Sequence, residues 1–144
     1  MGIFVHQQRA WRYADAVFSA CMPPIEDEAT GKVRVALYAA SHGRFAMVSM
    51  VNALPRSTYD PLILSLLDSQ ERTVASLNAS QPHRIYGYSS SVAELADLAL
   101  RGTLGIRPRT VLVGGDKLTQ GMRSAIEQAW APAIYDTYGA SEAK

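Results

Sequence analysis

RIYGYSSSVAELADLALRGTLGIRPRTVLV, residues 84–113, predicts one complete strand–helix–strand unit. Two short apolar runs of strand length, residues 84–88 and 110–113, flank a segment whose apolar residues recur at helical spacing. The apolar face of that helix consists of Val92, Leu95, Ala96 and Ala99. Ser91-Val92-Ala93-Glu94 matches a capping box, which predicts that Ser91 caps the helix, and Gly102 is well placed to end it.

The same alternation extends in both directions from this unit. Further strands are predicted at 33–39, 62–67 and 133–137, and further helices at about 10–21, 45–54, 72–79 and 119–130, the last capped by Thr119. Strands separated by helices predict an α/β fold with a mostly parallel, doubly wound sheet of about five strands and flanking helices, because parallel neighbours need long crossovers. The alternative is an α+β domain in which one short apolar run is a buried helix.

Composition limits the class of protein. The chain has 144 residues, of which 48% are hydrophobic, a net charge of +1 and one cysteine, Cys21. This length suits a single domain, and the small charge offers no electrostatic footprint for nucleic acid or an anionic membrane. No apolar run approaches the roughly 20 residues of a membrane helix, and no signal-peptide pattern is present. We therefore expect a cytoplasmic protein that binds neither nucleic acid nor membrane, with Cys21 in the core.

Several common catalytic motifs are absent from the sequence. Gly114-Gly115-Asp116-Lys117 lacks the spacing of a Walker-type phosphate loop, and no G-x-G-x-x-G or G-x-S-x-G segment occurs. The histidines His6, His42 and His83 have no metal-ligand spacing with one another or with Cys21. The chemistry of this chain therefore has to come from another arrangement of residues.

Small, hydroxyl and charged residues gather at the predicted carboxyl ends of the strands, where open α/β sheets bind ligands. These turns are residues 41–43, 68–70, 88–91, 114–117 and 138–142. The last, Tyr138-Gly139-Ala140-Ser141-Glu142, combines an aromatic ring, a glycine, a hydroxyl and a carboxylate, which suit a base, a phosphate and a divalent metal. The alternative explanation is turn chemistry, because helices need caps and turns need glycine.

Four segments carry a resemblance to a known family. They are Gly87-Tyr88-Ser89-Ser90, Gly114-Gly115-Asp116, residues 122–127 and Tyr138-Gly139-Ala140-Ser141-Glu142. Together they resemble the adenylate-forming (AMP-binding) enzyme superfamily, most of all phenylacetate–CoA ligases and coenzyme F390 synthetase-like proteins, whose Tyr-Gly-x-Ser/Thr-Glu signature the last segment resembles. The resemblance implies an ATP-dependent ligase that converts a carboxylic acid to an acyl-adenylate, releases pyrophosphate and passes the acyl group to coenzyme A.

The resemblance also implies roles for single residues of the last segment. Tyr138 would pack on the adenine, and Gly139 would let the backbone approach the nucleotide. Ser141 would donate to the α-phosphate, and Glu142 would bind Mg²⁺, a hard cation that prefers carboxylate oxygen. Ser141 and Glu142 are therefore the candidate catalytic residues, and Glu142 is the candidate metal ligand.

A second group of residues would border the nucleotide and the acid. By the same resemblance, Gly114, Gly115 and Asp116 border the adenine and the acyl pocket, which Tyr88 and His42 line. Plainer alternatives remain: Asp116 as the cap of the following turn, Tyr88 as a core residue and His42 as a turn residue.

The resemblance covers part of an enzyme. The family's phosphate loop would precede this chain, and its ribose-binding aspartate and the C-terminal domain with the catalytic lysine would follow Lys144. We therefore expect residues 1–144 to form a partial N-terminal adenylation domain that is inactive alone and self-associates through exposed core surface. The alternative is a free-standing α/β module that binds a small ligand or a protein without catalysis.

Overall fold

The computed structural model describes residues 31–40 and 46–137. Five strands and four helices alternate within these ranges. They are β1 (Val33–Ala39), α1 (Ala46–Asn52), β2 (Tyr59–Ser65), α2 (Gln70–Ser80), β3 (Arg84–Gly87), α3 (Ser89–Leu100), β4 (Thr110–Gly114), α4 (Gln120–Trp130) and β5 (Ala133–Thr137). The helix predicted at about 10–21 lies outside the described residues. Within the described ranges, none of the helices has the length and apolar character that crossing a membrane requires.

All neighbouring strands of the sheet are parallel, in the order β2-β1-β3-β4-β5. The prediction of a mostly parallel α/β sheet is confirmed, and the α+β alternative is wrong, because each of the short apolar runs is a strand. The chain moves outward from β1 to β2 and then returns across β1 to β3. Because right-handed crossovers in opposite directions place their helices on opposite faces, this order produces a doubly wound sheet.

Packing divides the core into two clusters, one on each face of the sheet. Along β4, Val111 and Val113 belong to the cluster that α2, α3 and α4 cover, with Leu77, Leu95 and Ile126 fully buried there. Leu112 belongs to the other cluster, which includes Val51 of α1 and Leu54. The alternation along one strand explains why its residues read as a continuous apolar run, since both faces of a parallel sheet are buried.

The second strand lies earlier in the chain than predicted. β2 covers Tyr59–Ser65 rather than 62–67, and Pro61 pairs in register with Val35. A proline can occupy this position because β2 is an edge strand, where a missing N–H leaves no neighbour unpaired. Leu66 and Leu67 consequently fall in the turn after the strand, where Leu67 is 78% exposed.

Two of the three predicted helix boundaries are confirmed. Thr119 is the N-cap of α4 and accepts a hydrogen bond from the backbone N–H of Met122. Gly102, at φ +77°, ends α3 with two backbone hydrogen bonds. Gly102 N donates to the carbonyl of Ala99 and Thr103 N to that of Leu98, which together form a Schellman motif.

The capping box predicted for α3 is wrong. The helix begins at Ser89 with Tyr88 as its N-cap residue, and the Tyr88 side chain makes no capping hydrogen bond. Ser91 lies inside the first turn, where its hydroxyl is 3.0 Å from the carbonyl oxygen of Tyr88 and 3.3 Å from that of Tyr38. The hydroxyl that was expected to cap the helix instead ties it to β1.

Candidate functional site

The order of the strands places a reversal of the connections at the carboxyl edge of the sheet, between β1 and β3. β1 lies between β2 and β3, so the chain leaves β1 toward one face of the sheet and leaves β3 toward the other. Open α/β sheets bind ligands where such a reversal occurs, because the two diverging connections leave a gap between them. Tyr88 directly follows β3 and therefore stands beside this gap.

The turn after β4 packs against Tyr88. Gly115 has φ +86°, a left-handed conformation that side chains rarely adopt. A Cβ atom at this position would lie 2.8 Å from both Cδ1 and Cε1 of the Tyr88 ring. Two features therefore require glycine at position 115: the left-handed backbone angle and the close approach of the Tyr88 ring.

The preceding glycine allows an equally close contact with β5. A Cβ atom at Gly114 would lie 2.5 Å from the hydroxyl oxygen and 2.8 Å from the carbonyl oxygen of Thr137. The Thr137 hydroxyl donates to the carbonyl oxygen of Val113 at 2.9 Å. The last described residue of β5 is thus held closely against the end of β4.

Asp116 caps a helix that begins 27 residues before it. Its two carboxylate oxygens accept hydrogen bonds from the backbone N–H groups of Ser89 and Ser90, the latter at 3.0 Å. The Ser89 hydroxyl donates to the carbonyl oxygen of Asp116 at 3.1 Å. These bonds supply the first turn of α3 with the acceptor that Tyr88 does not offer, and they fasten the turn after β4 to the end of β3.

Electrostatics agrees with this role for Asp116. Burial by itself raises the pKa of the Asp116 carboxyl, but hydrogen bonds from Ser90 and Ser89 outweigh that effect and hold the pKa below its usual range. A carboxylate at a helix N-terminus also interacts favourably with the helix dipole. Asp116 is therefore a stable anion whose charge is directed to α3.

The described residues do not form a metal site. Among residues 31–40 and 46–137, no group of three or more His, Cys, Asp and Glu side chains is arranged to hold a metal ion. At the carboxyl edge, both oxygens of Asp116 already accept backbone hydrogen bonds.

The structure brings together four of the residues singled out from the sequence. Tyr88, Gly114, Gly115 and Asp116 form one cluster of turns after β3 and β4. The other five lie outside the described residues: His42, Tyr138, Gly139, Ser141 and Glu142.

The sequence analysis gave no individual role to three residues that shape the carboxyl edge: Gly87, Ser89 and Thr137. Ser89 and Thr137 hold neighbouring turns through hydrogen bonds to residues more than 20 positions away. Gly87 lets β3 end close to β1, since a Cβ atom there would lie 2.6 Å from the carbonyl oxygen of Tyr38. The position of Gly87 at the end of an apolar run is a signal for such close approach, whereas nothing local identifies the distant hydrogen-bond partners of Ser89 and Thr137.

Comparison with known proteins identifies the architecture. No protein-family model matches the sequence, and no curated protein matches it significantly. The structure is similar to an open conformation of 2-hydroxyisobutyryl-CoA ligase in complex with 2-HIB-AMP and CoA, with a TM-score of 0.68 and 18% identity. It is also similar to VinN in complex with L-aspartate, with a TM-score of 0.65 and 19% identity.

These matches cover most of this chain and a smaller part of the matched proteins. The chain is covered to 95% by the ligase and to 92% by VinN, and it spans 31% of the length of each. At such low identity the likeness establishes the fold alone. The chain has the fold of a part of these proteins, and the resemblance to adenylate-forming enzymes is confirmed at the level of the fold.

Proposed function

We propose that this chain is part of the N-terminal adenylation domain of an ATP-dependent acid–CoA ligase. The whole enzyme forms an acyl-adenylate from a carboxylic acid, phenylacetate-like or other, and transfers the acyl group to coenzyme A. The observation that carries the proposal is the fold, which matches a ligase in complex with 2-HIB-AMP and CoA over 95% of this chain. The Tyr138–Glu142 motif supplies the chemistry that the fold alone does not.

The carboxyl edge supports this function through its shape. Two consecutive glycines, Gly114 and Gly115, let Thr137 and the Tyr88 ring pack directly against the backbone at the end of β4, so an aromatic ring lies beside the proposed nucleotide site. Both carboxylate oxygens of Asp116 accept hydrogen bonds from the first turn of α3. In the proposal Asp116 is therefore a positioning residue that holds the turn after β4 in place. In the proposal Tyr138, Gly139 and Ser141, which follow β5 in sequence, would complete the nucleotide site, and Tyr88 and His42 would line the acyl pocket.

In the proposed reaction an oxygen of the carboxylic acid attacks the α-phosphorus of ATP and pyrophosphate leaves. Mg²⁺, held by Glu142, would neutralise part of the charge on the phosphates. Ser141 would donate a hydrogen bond to an α-phosphate oxygen, and the described residues would orient the adenine. The protein would act in the cytoplasm, where ATP and coenzyme A are available.

We expect residues 1–144 to be inactive alone, because the phosphate loop and catalytic lysine of the family have no counterpart in this sequence. Misplacement of catalytic groups by about 1 Å already costs roughly 10²-fold in rate, so their loss should abolish turnover. Pyrophosphate exchange with aryl or alkyl acids should be undetectable for the isolated chain. Clear turnover would contradict the assignment to a partial domain.

Titration of the chain with AMP tests whether the carboxyl edge binds nucleotide. In ¹H–¹⁵N spectra, AMP at millimolar concentration should shift the backbone amides of Tyr88, Gly114 and Gly115, and inorganic phosphate alone should not. The amides of His83 and Arg109, at the amino edge of the sheet, serve as an internal reference.

A matched pair of variants completes this test. Gly115→Ala should weaken AMP binding because a methyl group would clash with the Tyr88 ring and displace it, whereas Gly121→Ala in α4 should not. If AMP leaves the carboxyl edge unchanged, the free-standing module without catalysis becomes the better description.

A further inference from the structure

We propose that a cavity between α2 and α3 binds a small primary amine in its ammonium form, at a site separate from the turns that follow β3 and β4. The cavity has a volume of about 280 Å³ and shares no residue with the cluster of Tyr88, Gly114, Gly115 and Asp116. The inference concerns this chain by itself and does not depend on the proposed function.

One face of α3 forms the longest wall of the cavity. Glu94, Asp97, Leu98 and Arg101 recur at the spacing of a single helical face and all line it. Across from them stand Gln70 and Thr73, in the first turns of α2. The cavity therefore lies between two helices of the same layer.

The cavity has an apolar, buried floor and a charged, exposed rim. Leu95 and Thr73 are each 1% exposed and lie at the floor. Glu94, Asp97 and Arg101 are exposed, which places their charged groups at the opening. This arrangement suits a molecule with one charged end and a short apolar body.

Negative charge exceeds positive charge around the cavity. Three carboxylates, Asp68, Glu94 and Asp97, line it together with one guanidinium, Arg101. Asp68 is partly neutralised by Arg72, at 3.2 Å, and also accepts a hydrogen bond from the backbone N–H of Ser65. Glu94 and Asp97 form no ion pair with any described residue, so they supply the charge available to a cation.

Tyr38 reports the sign of the local potential. Burial raises the pKa of its phenol, and the charges of Glu94 and Asp68 raise it further. The phenol therefore stays protonated, and its oxygen can accept a hydrogen bond from an ammonium group. Tyr38 lines the cavity near the carboxyl end of β1.

Thr73 provides an observation that is independent of the charges. Its hydroxyl oxygen is buried and has no hydrogen-bond partner among the described residues. Buried polar groups are nearly always hydrogen-bonded, and an exception calls for an explanation such as a missing ligand. An N–H donor that enters the cavity beside Thr73 would satisfy this oxygen.

The volume sets the size of the ligand. Pockets for drug-sized molecules are roughly 300–1,000 Å³, so a cavity of about 280 Å³ suits a smaller molecule. A primary alkylamine of about four to six carbons matches the apolar floor and the acidic rim. A carboxylate of the same length should be rejected by Glu94 and Asp97.

The experiment uses the 144-residue chain and three probes of one length: pentylamine, 1-pentanol and pentanoate. Pentylamine should shift the ¹H–¹⁵N signals of Thr73, Glu94, Asp97 and Arg101 with saturation at millimolar concentration. Pentanol should act far more weakly, and pentanoate should leave these signals unchanged. Equal responses to pentylamine and pentanoate, or no response to pentylamine, would overturn the proposal.

Charge variants test whether the acidic rim is responsible. The double variant Glu94→Gln/Asp97→Asn should weaken pentylamine binding by about tenfold, as expected for loss of charge-assisted hydrogen bonds. Arg101→Gln should strengthen it, because a like charge is removed from the opening. Asp60→Asn, a matched loss of an exposed carboxylate on β2, should leave it unchanged. Unchanged affinity in the double variant would refute the assignment.

Discussion

Gly87, Gly114 and Gly115 determine how closely the strand ends approach one another. At each of them a Cβ atom would lie within 3 Å of a neighbouring atom. The neighbours differ in kind: a carbonyl oxygen of β1 at Gly87, the last residue of β5 at Gly114 and an aromatic ring at Gly115. The carboxyl edge is therefore assembled from contacts that any side chain would prevent.

Two glycines with positive φ allow the cost of backbone strain to be separated from the cost of a steric clash. Gly115 and Gly102 have φ +86° and +77°, but a Cβ atom at Gly102 would meet nothing within 4 Å. Gly102→Ala should cost about 1–2 kcal/mol through the backbone alone. Gly115→Ala should cost about 1 kcal/mol more, because overpacking against Tyr88 adds to it. Urea denaturation of both variants measures the difference.

The Tyr88 ring provides the control for this comparison. If the ring causes the additional cost, then Gly115→Ala in a Tyr88→Ala background should cost no more than Gly102→Ala in that background. An additional cost that persists without the ring would show that backbone strain at Gly115, rather than the contact with Tyr88, is responsible.

Among the secondary-structure elements, α3 has an N-terminal boundary that depends on Asp116, a residue distant in sequence. Local sequence favours Ser91 as the cap, and a helix starting there would leave Ser89 and Ser90 in the preceding turn. Asp116 accepts hydrogen bonds from the N–H groups of those two serines, so the helix extends back to Ser89. The boundary of this helix is a tertiary property, whereas that of α4, capped by the neighbouring Thr119, is local.

Replacement of Asp116 tests the long-range cap. Asp116→Asn keeps one acceptor oxygen but removes the second acceptor and the charge, and should destabilise the fold by about 1 kcal/mol at neutral pH. Asp136→Asn, at an exposed position on β5, should have little effect. Thermal unfolding of the two variants beside the wild type measures both changes.

The pH dependence of this difference follows from the lowered pKa of Asp116. Because the carboxyl has a lower pKa in the folded state, its contribution is fully present above the unfolded value of about 3.9. The contribution is lost as pH falls through the lower folded pKa. The stability difference between wild type and Asp116→Asn should therefore disappear in acid, and a difference that persists at low pH would contradict the ionised cap.

In the molecule as a whole, the edge strand β2 begins with residues that oppose pairing with another strand, and it is followed by two apolar residues. Asp60 and Pro61 oppose pairing with another strand edge, because a charge and a missing N–H are both unfavourable there. Leu66 and Leu67 follow the strand, and Leu67 is 78% exposed. Adjacent exposed leucines beside an unpaired edge favour self-association.

The two exposed leucines give this expectation a direct test. Leu67→Ser should reduce self-association in multi-angle light scattering and change stability by less than about 0.5 kcal/mol, because the side chain is largely solvated. Leu100→Ser is the control, since Leu100 is 49% exposed at the end of α3, away from β2. A wild-type chain that remains monomeric at all concentrations would exclude this surface as an interface.

The local sequence was sufficient to predict the alternation of strands and helices and the class of the sheet. Apolar runs of strand length separated by amphipathic helices predict parallel strands. Neighbouring parallel strands must be joined by a long crossover, and a helix is the usual form of that crossover. The boundaries at Thr119 and Gly102 were also predictable, since each cap acts on backbone groups within a few residues. Local sequence carries this information because hydrogen bonds of this kind span a single helical turn.

The strand order, the start of α3 and the contacts of the carboxyl edge depend on long-range packing that no local pattern predicts. The order β2-β1-β3-β4-β5 places the reversal of the connections between β1 and β3, whereas the sequence predicts parallel strands without indicating which are neighbours. Asp116 and Ser89 are separated by 27 residues, and no local pattern pairs them. Chain folding brings such groups together to satisfy buried polar atoms and fill the core, so their pairing depends on the packing of the whole domain.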